Sequence, residues 1–316
     1  MKMRFFLLLL CSATAVSVIH SSASGAPSDE QTAAEAGDPK AQYGLGSTYL
    51  LKAMFPRSAS DRKNKSANAK AAFDWFMKAA MQGHPQAENN LASMYRQGDG
   101  TPKNAALSAH WYHKAAEQGL ASAELVLGVM YSKGEGVEKD MEKSRSWISK
   151  AADQGNAEAE LLMGDMYEVG IGGTKDSVAA TEWFLKAATH GNFEGQFILG
   201  TRYYHGKGTP KNLAAALDWS KKAADHGHAK AQGQMGDFYY EGIGVEKNLV
   251  VAAQWYEKSA KQGDAFSQTM LGDMYTNGEG VKIDRAVALS WYKKAAAQGD
   301  PVATKKLSAL GEGAKK

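Results

Sequence analysis

Serine and lysine three residues apart can form a catalytic pair, because one helical turn brings an amine beside the hydroxyl it must deprotonate. Two such spacings occur, Ser60-x-x-Lys63 and Ser290-x-x-Lys293, the pattern of penicillin-recognising enzymes. The Ser-Asp-Asn and Lys-Thr-Gly motifs that complete that chemistry are absent. With 23 serines and 30 lysines in 316 residues, about two such spacings arise by chance, so the pairs carry no catalytic signal. His110 and His113 share one side of a helix and could begin a metal site, but they flank Trp111, no acidic or further His partner is expected beside them, and a structural or solvated role is expected. Gly134-Glu135-Gly136 and its counterparts lack the third glycine and the preceding strand of a dinucleotide site, so they join helices. No catalytic residue, metal ligand or cofactor is assigned.

All of these residues sit inside a strict beat. The seven tryptophans, Trp75, Trp111, Trp147, Trp183, Trp219, Trp255 and Trp291, are each 36 residues apart. Tyr95, Tyr131, Tyr167, Tyr203, Tyr239 and Tyr275 precede the later tryptophans by 16, and a glycine, from Gly83 to Gly299, follows every tryptophan by 8. A fixed period of this length marks a stacked array of small units. In 156–191, Ala159, Met163, Gly164 and Tyr167 fall at helical spacing behind Asn156, Gly170 to Gly173 break that helix, and Asp176 opens a second carrying Ala180, Trp183, Ala187 and Ala188. Each unit is a helical hairpin, helix A then helix B.

The caps repeat as well: Asn68, Asn104, Asp140, Asp176, Asn212, Asn248 and Asp284 are expected to open helix B. Asp38-Pro39, His84-Pro85 and Asp300-Pro301 open helix A with proline at the first helical position. Small residues at Gly46, Ala92, Gly128, Gly164, Gly200, Gly236 and Gly272 predict close helix approach, since glycine inside a helix costs up to about 1 kcal/mol against alanine. Trp183, at mid-array, is expected to fill the space between helices.

The pattern Ala-x-x-x-Leu-Gly-x-x-Tyr, Gly-x-Gly-Val, Asp, Ala-x-x-Trp-Tyr-x-Lys-Ala-Ala-x-x-Gly, nearly letter for letter in Ser267 to Gly299, resembles the Sel-one-like repeat, a relative of the tetratricopeptide repeat. The resemblance covers 37–299. It implies an all-α, right-handed superhelical solenoid of antiparallel helix pairs that binds other proteins, and its exported bacterial members include envelope regulators, assembly factors and virulence-associated factors. Cysteine-rich relatives are linked to β-lactams, so the alternative is a peptidoglycan- or β-lactam-directed envelope factor with hydrolase activity.

The ends and one insertion depart from the beat. Lys2 and Arg4, the apolar run 5–19 and small residues up to Ala26 read as a secretory signal over 1–25, which predicts an exported chain, periplasmic or secreted, with no stable membrane anchor after cleavage. The signal takes with it the one cysteine, Cys11, and two positive charges, lowering the formal net charge from +3 to +1. A nearly neutral chain has no general attraction to nucleic acid or to anionic lipid. The expected order is a linker at 26–36, seven repeats (37–83, 84–119, 120–155, 156–191, 192–227, 228–263, 264–299), a capping helix at 300–310 and a tail at 311–316. The first repeat carries ten extra residues between Tyr49 and Asn68, rich in Arg and Lys, an alternative docking element.

Positions that vary while the framework stays fixed are the candidate partner surface. Along helix A they are Tyr43, Asn89, Ser93, Arg96, Asp165, Glu168, Tyr204, Asp237, Tyr240 and Asp273. By analogy with related solenoids this face is concave. Tyrosines mixed with carboxylates suit a protein or peptide of amphipathic or basic character, held by a monomeric scaffold.

Overall fold

The computed structural model describes residues 27–312, and every regular element among them is an α-helix. The signal expected over 1–25, Cys11 included, lies outside the described residues, as do tail residues 313–316. In chain order the helices are α1 (Pro27–Glu35), α2 (Pro39–Met54), α3 (Ala59–Lys63), α4 (Lys65–Met81), α5 (Pro85–Gln97), α6 (Ala105–Glu117), α7 (Ala121–Lys133) and α8 (Met141–Asp153). They continue as α9 (Ala157–Val169), α10 (Ser177–Thr189), α11 (Phe193–His205), α12 (Leu213–Asp225), α13 (Ala229–Glu241), α14 (Leu249–Lys261), α15 (Ala265–Asn277), α16 (Arg285–Ala297) and α17 (Pro301–Glu312). Two compact units result, one ending at Gln154 and one beginning at Gly155. Within each, consecutive helices pack as pairs, so the fold class is an all-α solenoid of helical hairpins.

Local chemistry sets the boundaries. The side chains of Asn104, Asp140, Asp176, Asn212, Asn248 and Asp284 each accept a hydrogen bond from an N–H in the first turn of helix B, at 2.9–3.1 Å. Helix A ends on a left-handed glycine, Gly98 being one example, whose N–H bonds back to the Met94 carbonyl. The next glycine of the turn meets the preceding repeat: a Cβ on Gly100 would lie 2.6 Å from the Ala69 carbonyl carbon. Only a residue without a side chain fits there.

The core lies between the two helices of each hairpin, and its main residue is not the tryptophan. Phe76, Tyr112, Ile148, Phe184, Tyr256 and Tyr292, each one position after a tryptophan, are buried. They press onto the small residue of helix A; a Cβ on Gly164 would lie 2.5 Å from Phe184 Cε1. The expectation that Trp183 fills the inter-helix space is corrected. Successive helical residues are about 100° apart, so the position facing helix A leaves its predecessor at the flank. Trp183 is half-buried there, with the Lys186 ammonium 3.8 Å from its ring centroid, and all seven Trp/Lys pairs repeat this at 3.8–4.7 Å.

Three further expectations change at the ends. Residues 27–35, placed within a linker, are helical, because Ala33-Ala34-x-x-Gly37 repeats the phase of Ala79-Ala80-x-x-Gly83 and completes the end of a helix B. The Asp38 N–H bonds the Ala33 carbonyl as the His84 N–H bonds that of Ala79, and Gln42 donates to the Ala34 carbonyl at 3.1 Å. Asn68 is not a cap: Asn64 stands before α4, and the Asn68 N–H is already bonded to the Asn64 carbonyl at 2.8 Å. No Gly-x-Gly stop delays helix B here, so it starts a turn early. At the other end α17 continues to Glu312, past the expected boundary at 310. Thr304, Lys305 and Ser308 are exposed where α15 buries Gln268, Thr269 and Gly272, so α17 presents polar residues at these positions.

Candidate partner-binding surface

Helix A carries all ten candidate residues: Tyr43 on α2, Asn89, Ser93 and Arg96 on α5, Asp165 and Glu168 on α9, Tyr204 on α11, Asp237 and Tyr240 on α13, Asp273 on α15. Each is half-buried. Their polar tips are largely tied to the next repeat. Arg96 forks onto Glu135 at 2.7 and 3.0 Å, which raises the arginine pKa and holds the Glu135 carboxyl below its ordinary value. The Tyr240 hydroxyl donates to Glu279 at 2.7 Å, a bond that pushes its pKa up to about 12. Asn89 accepts from Ser122 at 3.5 Å, and Ser93 accepts from Gln97 within its own helix. Tyr43 stacks on the His84 imidazole, centroids 4.7 Å apart, while Tyr204 tilts against Phe238 at 5.8 Å.

The carboxylates differ from the free anions that a basic ligand would seek. Asp237 accepts from the Tyr256 hydroxyl at 2.6 Å, and burial, opposed by that bond and joined by Asp264 and Glu241, raises it to about 6. Asp273 accepts from Tyr292 at 2.5 Å and pairs with Lys306. Both aspartates are therefore bonded within the hairpin, and reversing their charge would strain the fold as well as any partner site. Glu168 receives Arg202 at 2.7 Å and Lys207 at 2.6 Å; burial alone would raise its pKa, but the two cations outweigh it and hold the carboxyl low.

Two features escaped the sequence reading. Arg202 is 4% exposed and bonds Glu168, the Thr181 hydroxyl, and both the Ser177 carbonyl and hydroxyl. Met94, Met130, Met166, Phe238 and Met274 hold its place in other repeats, so a lone arginine at an apolar phase was the available signal. The second is a ladder of buried polar residues on helix A, each meeting the end of helix B of its own repeat. Gln82 donates to Gln42, Gln118 to Glu88, Gln154 to Glu124, Gln262 to Gln232 and Gln298 to Gln268, at 2.7–2.9 Å. Burial raises the carboxyl pKa of both Glu88 and Glu124. His190 takes the glutamine's place against Glu160 at 2.8 Å, whereas His226 leaves the ladder and stacks on Phe193.

The serines of the two Ser-x-x-Lys spacings bond to other neighbours. The Ser290 hydroxyl donates to the Val287 carbonyl at 2.7 Å, and Ser60 lies exposed on α3, accepting from Asn64 at 3.3 Å. His113 sits 3.4 Å from Glu117, one turn away, and edge-on to Trp147; His110 meets Trp111 edge-on. Among the described residues no three His, Cys, Asp or Glu side chains converge on a common point.

The Sel1 repeat model matches residues 39–52, 62–84, 85–120, 121–156, 157–192, 193–228, 229–264 and 265–300. Among solved structures, a protective antigen present in uropathogenic Escherichia coli strains and displaying an SLR fold is 36% identical, with a TM-score of 0.81 over 89% of this chain; the chain spans 58% of that protein. A Sel1 repeat protein from Oxalobacter formigenes is 31% identical, with a TM-score of 0.64 over 78% of this chain and 96% of its own. Comparison with curated proteins finds no match.

Proposed function

The chain belongs to the Sel1 repeat family, and on that footing we propose that it is an exported, non-catalytic adaptor that holds a protein or peptide segment against helix A. Sel1 repeat proteins are generally scaffolds for protein–protein interaction, and their fold is generally non-catalytic. The observation that carries the finer reading is the state of the ten variable positions. They are half-buried, and Arg96, Glu168, Tyr240, Asp237 and Asp273 have their tips fixed by the array itself. Side chains fixed before binding lose little entropy when a partner arrives, and half-buried tyrosine rings offer broad contact with few rotatable bonds. Export is supported by the leader at 1–25 and by the protective-antigen character of the Escherichia coli relative, which accords with an envelope or virulence-associated role.

Affinity capture from the native envelope, with wild type and a Tyr204→Ala/Tyr240→Ala variant side by side, tests the reading. Truncating two anchoring tyrosines should weaken capture of a stoichiometric protein by about thirtyfold or more, with the helical spectrum retained. Undiminished capture by the folded variant would remove helix A as the working surface.

A further inference from the structure

The insertion is where this chain leaves its family pattern: the repeat match breaks after residue 52 and resumes at 62. It is ordered. α2 runs 16 residues, against 13 for every other helix A from α5 to α15, and ends at Phe55, whose N–H bonds the Leu51 carbonyl. Ser58 and Asp61 then form a reciprocal capping box that starts α3. Lys52, Arg57, Arg62, Lys63 and Lys65 are all exposed along this stretch, and among the described residues none has an ion-pair partner. One acid, Asp61, stands among them, and it is engaged in the cap. In their midst Met54 and Phe55 are 44% and 61% exposed.

We infer that this insertion is a reversible docking patch for an anionic lipid bilayer, with Phe55 and Met54 entering the headgroup boundary and the surrounding cations resting on lipid phosphates. Charge complementarity selects the occupant. An acidic protein would need its carboxylates set to match a scattered array, whereas a bilayer supplies a continuous negative surface that asks only for net charge and an apolar wedge. The long lysine and arginine stems suit that boundary, their apolar part lying along the wedge and their heads staying in water. A bound wedge without the charge, or the charge without the wedge, is marginal, since stable peripheral attachment takes two signals.

Sedimentation of the full chain with phosphatidylcholine vesicles, and with vesicles containing phosphatidylglycerol, reads this directly. The expected result is binding that requires phosphatidylglycerol and is lost in about 0.5 M salt, where the Debye length is roughly 4 Å. Arg57→Glu/Arg62→Glu/Lys63→Glu should lower the partition coefficient by about a hundredfold or more, and Phe55→Ser by about tenfold. All substituted side chains are exposed, so both variants should keep the wild-type helical spectrum; if the triple variant loses it, Phe55→Ser alone decides. Binding that the folded variants leave unchanged, including any contributed by residues 1–25, overturns the proposal. Equal binding to both vesicle types overturns it also, as does a triple variant that binds vesicles normally but loses a captured protein.

Discussion

Gly164→Ala should destabilise the protein even though alanine is the better helix former. The added Cβ would lie 2.5 Å from Phe184 Cε1 and 2.6 Å from Cδ1, where carbon contacts settle at about 3.5–4.0 Å. Phe184 is 2% exposed in a packed interior, so the ring or the helix must shift by about 1 Å. Overpacking of this kind costs about 1–3 kcal/mol, and the helix propensity of alanine returns up to about 1 kcal/mol. The net loss is therefore up to about 2 kcal/mol. Phe184→Ala by itself should cost about 3–5 kcal/mol through the cavity it leaves. In that background the clash is gone, and Gly164→Ala should become stabilising by up to about 1 kcal/mol. Urea unfolding of the four proteins, followed by circular dichroism and tryptophan fluorescence, gives the coupling as a double-mutant cycle. A Gly164→Ala protein with a higher midpoint than wild type, or an effect of the same sign in both backgrounds, would refute the packing argument.

Trp183→Ala should cost less than Phe184→Ala, about 1–2 kcal/mol, because the indole is half-buried and its Lys186 contact is worth roughly 0.5–1 kcal/mol; the reverse order of thermal midpoints would restore the tryptophan as the core residue. Burial raises Asp237 from 3.8 to about 6 in the folded protein, so its contribution to stability is complete below the unfolded value and lost as pH rises through about 6. Asp237→Asn should flatten the fall in stability between about pH 4 and 6, and an unchanged slope in urea midpoints against pH contradicts the assignment. Glu168→Ala leaves the Arg202 guanidinium buried without its carboxylate and should cost about 3–5 kcal/mol, whereas Arg202→Met restores the residue found at Met166 and should cost far less. Equal losses in the two variants would show that the ion pair is not what the site depends on.

The repeat architecture was legible because one physical constraint recurs at every period. A cap, a small residue and a closing glycine each answer to local backbone chemistry, so Asn104 or Gly98 can be assigned from neighbours alone. Trp183 departs from the expectation because a beat shows which residues are kept, not which way they face; Trp111 and Trp291 are buried in the core. A rotation of one residue, about 100°, separates flank from core, and the large residue after each tryptophan was hidden by varying between Phe, Tyr and Ile. The ten helix A positions were found by variation, but their bonds were not, because Arg96 to Glu135 and Tyr240 to Glu279 span a full repeat plus the offset set by stacking. The short α1 escaped because its consensus tryptophan position is filled by Asp29, leaving the two alanines and Gly37 as its signature.

The internal bonds of helix A change what kind of partner it suits. Glu168 and Asp273 are balanced by Arg202, Lys207 and Lys306 and contribute little net field, while Asp237, bonded by the neutral Tyr256 hydroxyl, carries its charge only above about pH 6, so little open charge is left on this face to attract a basic peptide. What remains available is ring surface and the outer edges of hydrogen-bonded pairs, which recognise shape and apolar side chains. Binding there should then be nearly indifferent to salt. The insertion is the opposite case, five exposed cations with no ion pair among the described residues, and its attachment should fail as screening increases. Salt therefore separates the two surfaces in a single preparation: at about 0.5 M, a protein held by helix A should stay on the chain while anionic vesicles leave it. Simultaneous loss of both would mean that the partner reaches the protein through the basic insertion, and that helix A serves the array alone.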